Sequence, residues 1–373
     1  MTMGQRTGHQ ILLQPPPYPD SHGDTPDHDG KTTGQQPAVG STINPLSTFS
    51  RYAAGMDLTV CICTHNRPLY VRDCLNGLRQ QTVRRDRFAI LLVDSASSAH
   101  AAAEVADLAA QHDARLIRLD QPGIGLARNT AAWAARTPFI AYIDDDAIPA
   151  GDWVETILEA INQPGRRPAL IGGRILPKWE APLPAWWPAS LRGVLSIIEY
   201  EGSGEYRTAA VPAGLEPYGA NIVVHVLSLL AAGGFGSTLG RVGNSLLSDE
   251  DVQLAWTLQD AGYSVRYDSR IVVHHQIQAR RLDPAWLLAR LYWQGASHVL
   301  TARLLHQPHA VWRELPQRLA VGLLLAPFGL IPRHSTRLLG ARWRLAYAAG
   351  FLRAALGWRA TTAAIAHATP IAA

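Results

Sequence analysis

The sequence is poor in what several classes of protein require. Among 373 residues there are 3 Cys. Two of them, Cys61 and Cys63, sit in one apolar run, so a disulfide-stapled miniprotein is excluded. No apolar stretch reaches the ~20 residues of a spanning helix. The longest, Ala320–Leu330 and Ile222–Ala232, fall short of it, which excludes a polytopic membrane protein. Met1–Asp20 has no apolar core of a secretory leader, so the expected compartment is the cytoplasm. Acids and lysine are scarce at one end. From Arg266 to Arg359 there are fourteen Arg and no Lys against Asp268, Asp283 and Glu314. The formal net charge of +4 therefore hides a gradient. A basic end of this kind points to nucleic acid, an anionic membrane face or a phosphorylated substrate. What is present in quantity is apolar material: 47% hydrophobic residues against 17% charged. That is enough for one large core or two modest ones and too much for wholesale disorder.

Residues 1–56 are rich in Pro, Gly, His, Ser and Thr and lack apolar periodicity, which predicts a disordered tail. His9, His22 and His28 there have no metal-site spacing. Beyond them, Leu58–Cys63, Phe88–Val93, Ala114–Leu119 and Phe139–Ile143 read as strands. They alternate with helical stretches over Pro68–Gln81, Ala99–His112 and Gly125–Ala135. This alternation predicts βαβ units on a parallel sheet. In such sheets ligands bind outside the carboxyl ends of the strands. Thr64, Asp94 and Asp144–Asp146 all fall at such ends. Pro177–Pro188, with Trp179, Trp186 and Trp187, reads as an ordered aromatic loop, there either to stack on sugar rings or to anchor itself. Tyr200–Pro217 is Gly-rich and is expected to be a mobile, closing loop. A helix is expected from Asp249 to Ala261, and a strand pair or bent strand over Val265–His274. A long helix follows from Pro284 to His306, and then a basic helical remainder. The expected units are 1–56, 57–278 and a C-terminal helical extension, 279–373.

Asp144, Asp145 and Asp146 repel one another unless a cation or water intervenes. Mg²⁺ and Mn²⁺ combine carboxylate with phosphate oxygens, so this triplet at a strand end is a candidate metal site. Ser248 with Asp249, Glu250 and Asp251 reads two ways. Ser248 and Asp251 fit a helix cap, whereas acids facing the crevice suit a general base. His274 and His275 alternate across a strand, so one at most faces the crevice. Gly123-Ile124-Gly125 with Arg128 and Asn129 matches neither the dinucleotide fingerprint nor a P-loop.

Together these segments resemble a family 2 glycosyltransferase of the GT-A fold, over Leu58 to about His275. The resemblance is carried by Val60-Cys61-Ile62-Cys63-Thr64-His65-Asn66-Arg67, Leu92-Val93-Asp94-Ser95 and Gly123-Ile124-Gly125-Leu126-Ala127-Arg128-Asn129. It continues in Ile143-Asp144-Asp145-Asp146, Gly219-Ala220-Asn221, Gly233-Gly234-Phe235, Glu250-Asp251, Gly262-Tyr263 and His275. It implies an α/β fold with a Rossmann-like, mostly parallel sheet flanked by helices. It also implies inverting transfer of a sugar from a nucleotide-sugar donor to a glycan or lipid-linked acceptor, in cell-surface polysaccharide biosynthesis. Thr64, Arg67 and Asp94 would then hold the nucleotide, with Arg128, Asp144 and Asp145 beside the nucleotide-sugar. Asp146 would hold Mn²⁺ or Mg²⁺, with Asp144 and His275 as further ligands. Glu250-Asp251 would form the acceptor-side acidic motif, with Asp251 as base. The second strand end, Asp94-Ser95-Ala96-Ser97-Ser98, departs from the family in lacking a second acid.

Arg280-Arg281-Leu282 and Tyr292-Trp293-Gln294-Gly295 also recur in some members. The Arg-rich helices that hold them are candidates for contact with the inner face of the plasma membrane. Three other readings compete. One is a haloacid-dehalogenase-like sugar phosphatase, which uses an Asp-x-Asp motif on an early strand. A second is a non-catalytic scaffold of the same fold. The third, a nucleic-acid binder, lacks any recognisable motif, and no nucleic-acid partner is expected.

Overall fold

The computed structural model describes residues 56–357 apart from 237–238 and 242–244. The tail expected over 1–56 lies outside the described residues except for Met56, and so does the end of the expected extension, 358–373.

Near-continuous apolar runs form β1 (Leu58–Thr64), β2 (Phe88–Ser95) and β4 (Phe139–Asp144), with the shorter β3 (Arg115–Leu119). They pair in parallel in the order β3-β2-β1-β4. Such runs suit strands covered on both faces. The covering helices are α1 (Pro68–Arg79), α2 (Ala99–Gln111) and α3 (Ile124–Ala134). Helix α1 opens on Pro68, whose fixed φ suits a first turn. It buries Val71, Cys74, Leu75 and Leu78 at helical spacing. Ser98 caps α2 by accepting from the Ala101 N–H at 3.4 Å.

The second half adds β5 (Ala147–Pro149), α4 (Trp153–Ile161), β6 (Leu170–Trp179), β7 (Ser203–Glu205), β8 (Asn221–His225), α5 (Val226–Ala231), α6 (Glu250–Asp260) and β9 (Val265–Ile277). Among the described residues the sheet has nine strands, ordered β3-β2-β1-β4-β8-β6-β9-β5, with β7 beside β9. Strand β8 runs antiparallel to both β4 and β6, so the sheet is mixed. The strand pair or bent strand expected at 265–274 is one strand, β9. It pairs with β6 through a register shift at Gly173/Arg174, the mark of a bulge.

The closing loop expected over Tyr200–Pro217 is tied down. Its β7 pairs with β9, Tyr206 is fully buried, and Tyr267 Oη donates to the Tyr200 carbonyl at 2.7 Å. A tyrosine in the core and a ladder to β9 override its glycines.

Three helices follow: α7 (Pro284–Leu304), α8 (Pro308–Leu325) and α9 (Leu339–Ala355). Helices α7 and α9 meet backbone to backbone. A Cβ on Gly295 would stand 2.1 Å from the Tyr347 carbonyl oxygen, and one on Gly350 1.8 Å from that of Tyr292. Only glycine permits such an approach. The helices share their cores with the α/β part. Leu239 and Leu247 pack with Val299, Leu300 and Phe351. Trp187, Leu195 and Ile197 pack with Leu287, Leu291 and Leu339, and Trp179 and Trp186 lean on the same cluster. The aromatic loop is thus an anchor for α7 and α9. Among the described residues no helix is long and apolar enough to cross a membrane.

Candidate active site at the carboxyl ends of the parallel strands

Parallel pairing sets Thr64 beside Asp94 and Cys63 beside Asp144 in register. The polar strand ends therefore converge on one edge, as their positions in the sequence imply. Strand β4 ends in a turn into β5. There the three aspartates take three different surroundings.

Asp145 is buried; Thr64 Oγ1 donates to it at 2.7 Å and Arg67 Nη1 lies 2.8 Å away. Burial pushes its carboxyl up to about 7, with Arg67 pulling the other way and Asp146 adding to the rise. The Thr64 hydroxyl and both terminal nitrogens of Arg67 are thus already engaged with the turn. Asp146 is also buried. Its Oδ2 accepts from Arg281 Nη2 at 2.9 Å and Gln278 Nε2 at 2.9 Å, and from Arg67 Nη2. Burial alone would raise this carboxyl, but the cationic side of His275, Arg281 and Arg67 outweighs it and holds Asp146 well below the ordinary range.

Asp146 Oδ1 faces His275 Nε2 at 3.4 Å, close enough for both atoms to reach one ion. Asp144, the most open of the three, has a half-buried carboxylate that pairs with Arg128 Nη2 at 3.1 Å. Among the described residues no three His, Cys, Asp or Glu side chains gather as a ligand group. A hard divalent cation that takes one or two carboxylates and fills its shell with phosphate oxygens and water does not need three. The donors fit Mn²⁺ or Mg²⁺ in that manner. His274 points to solvent and His275 is buried, so one histidine of the pair faces the crevice, as strand alternation requires.

Arg128, on α3 and 3% exposed, spans two acidic motifs. Its Nη1 lies 2.7 Å from Glu250 Oε1 and its Nη2 3.1 Å from Asp144 Oδ1. Phe235 packs under the guanidinium at 5.4 Å. A Cβ on Gly219 would fall 2.0 Å from Nη2, which explains the glycine of Gly219-Ala220-Asn221. The asparagine of that motif is architectural: Asn221 bonds to Trp153 Nε1, the Arg174 carbonyl and the Ile271 carbonyl. Asn129 similarly latches the backbone of Phe235 from both sides.

Asp251 is 8% exposed. Its Oδ2 accepts the Gly219 N–H and its Oδ1 the Val252 N–H, the latter at 2.8 Å. Burial first, then the Glu250 charge, lift its carboxyl to about 8, against the pull of Arg128 and the two N–H groups. The capping alternative does not hold. The residue before α6 is Asp249, at φ 77°, and no side chain caps the helix. Ser248 Oγ donates instead to Asp249.

Asp94 is 1% exposed. Its Oδ1 accepts the Ser97 N–H at 3.1 Å. Its Oδ2 has no hydrogen-bond partner, and Arg118 Nε stands 3.8 Å off. A buried acceptor left open suits a ligand N–H or hydroxyl.

The sequence assigns no site role to several residues here. Arg281 and Gln278 hold Asp146 from the turn after β9. On the other side Gln294 Nε2 contacts both Asp249 oxygens at 3.2 Å. Arg290 Nη2 reaches Ser248 at 3.2 Å. Glu216 is pushed up to about 7 by burial and by Asp249. Arg281 and Gln294 fall in the Arg280-Arg281-Leu282 and Tyr292-Trp293-Gln294-Gly295 segments, which the sequence assigns to the C-terminal helices and not to the site; Gln278 and Arg290 belong to no motif. Glu216 lies in the stretch that reads as a mobile loop.

The mixed sheet with acids at its central strand ends is the GT-A architecture. Residues 59–180 match the family described as Glycosyl transferase family 2. It is similar to the glucosyl-dolichyl phosphate glucuronosyltransferase of Haloferax volcanii, 28% identical over 177 residues, 47% of this chain and 54% of that protein. It is also similar to the pre-mycofactocin glycosyltransferase of Mycobacterium tuberculosis, 27% identical over 237 residues, 62% of this chain and 46% of that protein. The chain thus spans about half the length of these curated relatives. The mannosyltransferase PcManGT from Pyrobaculum calidifontis, solved with GDP-Man and Mn²⁺, shares the fold at a TM-score of 0.51 and 18% identity, over 80% of this chain and 86% of that one. The phosphatase reading fails, because Asp144–Asp146 follow the fourth strand rather than an early one.

Proposed function

We propose that the protein transfers a sugar from a nucleotide-sugar donor to an acceptor hydroxyl with inversion, with Asp251 as general base. The carrying observation is the Asp251 carboxyl, buried, fixed by two backbone N–H groups and raised to about 8. A base of that strength is matched to a reaction near neutral pH. The acceptor oxygen attacks the anomeric carbon and its proton passes to Asp251. The bond from that carbon to the diphosphate oxygen breaks on the opposite face, so one displacement inverts the centre.

A divalent cation would be held by Asp146 and His275, with Asp144 as a further carboxylate, and would supply positive charge to the diphosphate. Arg67 and Arg281, which converge on Asp146, add fixed cationic groups at the same place. Asp94, with its open buried oxygen, is the residue of the second strand end best suited to hold the nucleotide, beside Thr64 and Arg67. Arg128 acts on the site by holding Glu250 and Asp144 in one arrangement, with Asp145 anchored beneath them.

A lipid-linked or glycan acceptor in cell-surface polysaccharide assembly is the second part of the reading. The name of the Haloferax relative, which includes a dolichyl phosphate, supports the lipid-linked form. Such an acceptor goes with a location at the inner face of a membrane, reached by the C-terminal helices. The deciding experiment measures nucleoside diphosphate release from a panel of nucleotide-sugars with and without Mn²⁺ or Mg²⁺. Release from one donor that Asp251→Asn abolishes is the expected outcome. No release above background from any donor would refute the reading.

A further inference from the structure

Helix α8 is bound to the rest of the protein by one edge. Of its residues only Val311 is buried. Trp312, Pro316, Leu319, Ala320, Leu323 and Leu324 recur at helical spacing, so they share one face. That face is open: Trp312 is 67% exposed, Leu323 79% and Leu324 76%, and Leu330 in the turn beyond the helix is 89% exposed. A contiguous patch of this kind on an otherwise polar surface marks an interaction site.

Its surroundings say what it meets. From Pro308 to Gly357 there are seven Arg, no Lys and one acid, Glu314. Glu314 is turned inward to Arg318 at 2.6 Å and to His298 at 3.5 Å. Arg313, Arg333 and Arg337 are exposed, and none has an ion pair among the described residues. Beside the same turn, between α7 and α9, opens a groove of about 390 Å³ lined by Leu288, Tyr292, Phe328, Ile331 and Leu345, with Arg333 at its rim.

We propose that α8 and the turn Ala326–Leu330 lie in the interface of an anionic lipid bilayer, with the apolar stripe in the acyl boundary and Arg313, Arg333 and Arg337 among the headgroups. The helix is too short and too charged to span, and it has the composition of one that lies flat. A protein partner would have to bring its own acids to three separate arginines around a narrow stripe. A bilayer presents apolar depth and negative charge everywhere. The inference makes specific the membrane contact proposed above and does not depend on glycosyl transfer.

The test is co-sedimentation of the full chain with vesicles of phosphatidylcholine alone and of phosphatidylcholine mixed with phosphatidylglycerol. Binding is expected to the anionic vesicles and to weaken with salt. Leu323→Asp/Leu324→Asp is expected to lower partitioning by about tenfold or more. Arg333→Gln and Arg337→Gln are each expected to lower it about fivefold. All four side chains are exposed, so circular dichroism and nucleotide release without vesicles should match the wild type. No binding to anionic vesicles, or binding that the double aspartate variant leaves intact, overturns the proposal. So does a dimer in sedimentation velocity that the aspartates dissociate, which would assign the stripe to a second copy of this chain. Vesicle binding by a wild type that releases no nucleotide from any donor would leave the docking standing and remove the transferase reading.

Discussion

Arg128 Nη1 lies 2.7 Å from Glu250 Oε1 while its Nη2 lies 3.1 Å from Asp144 Oδ1. One buried guanidinium thus ties the end of a parallel strand to the first turn of α6, over a separation of more than a hundred residues. A single point charge cannot serve two carboxylates as a planar fork does. Arg128→Met leaves Glu250 buried without its counter-charge. Loss of one partner from such a pair costs about 3–5 kcal/mol. Urea denaturation should show a loss of that order, and nucleotide release should vanish. Arg128→Lys should recover part of the stability and little of the activity. Wild-type stability in the methionine variant would mean that the bridge carries no weight.

The proposed base, Asp251, would set the pH dependence of turnover. With the Asp251 carboxyl near 8, the reactive ionised form falls about tenfold for each unit below that value. The logarithm of kcat/KM should therefore rise with unit slope up to a pH near 8 and then level. Glu250→Gln removes the like charge that helps hold Asp251 up and leaves more of Arg128 to pull it down. The ascending limb should move to lower pH in that variant. A limb that stays in place would separate Glu250 from the base.

The same carboxyl links stability to pH. Its folded value is above the unfolded value of about 3.9, so between the two the folded state binds the extra proton. Stability from this group is then full below about 4 and is lost as pH rises towards 8. Asp251→Asn cannot lose that proton. The melting temperature of the variant relative to the wild type should climb steadily across this window and flatten above it. A difference that does not vary with pH would mean that Asp251 titrates near its ordinary value.

The strand ends were legible in the sequence because chemistry and periodicity agree there: an apolar run that stops at Thr64, Asp94 or Asp144 can only hand its polar end to the sheet edge. Alternation showed that one of His274 and His275 at most faces the crevice, and the family resemblance chose His275. The role of Arg128 was not legible, since its partners, Glu250 and Asp144, come from elements far apart in the sequence and its place depends on the absence of a side chain at Gly219. Arg281 and Gln278 were hidden for a similar reason, since nothing local marks a turn after β9 as the far wall of the Asp146 pocket. Two local readings failed where tertiary contacts overruled them. The glycines of Tyr200–Pro217 suggest mobility, but Tyr206 is fully buried and β7 pairs with β9. The Ser248 and Asp251 spacing suggests a cap, but both Asp251 oxygens take other N–H groups.

The pairing of Asp146 Oδ1 with His275 Nε2 at 3.4 Å gives the proposed cation site a test of its own. Calorimetric titration of Mn²⁺ in the presence of the nucleoside diphosphate should show weaker binding by about tenfold in His275→Ala. Asp146→Asn should abolish it. Removal of the metal with a chelator should suppress nucleotide release from the wild type. Unchanged Mn²⁺ affinity in both variants would place the ion elsewhere.

Helix α7, which carries Arg290 and Gln294, crosses α9 at two glycines. A methyl group at Gly350 would stand 1.8 Å from the Tyr292 carbonyl oxygen, a contact that only a shift of one whole helix relieves. Gly350→Ala should therefore destabilise the protein by about 1–3 kcal/mol or more, as overpacking does, despite the gain in helix propensity. Gly322 in α8 is the contrast: its nearest neighbour would be the Leu352 Cδ1 at 3.4 Å, an ordinary contact with a flexible side chain. There alanine should stabilise by about 0.5–1 kcal/mol, the usual difference between the two residues inside a helix. If both variants shifted the denaturation midpoint in the same direction, the helix crossing would not be as close as the glycines imply.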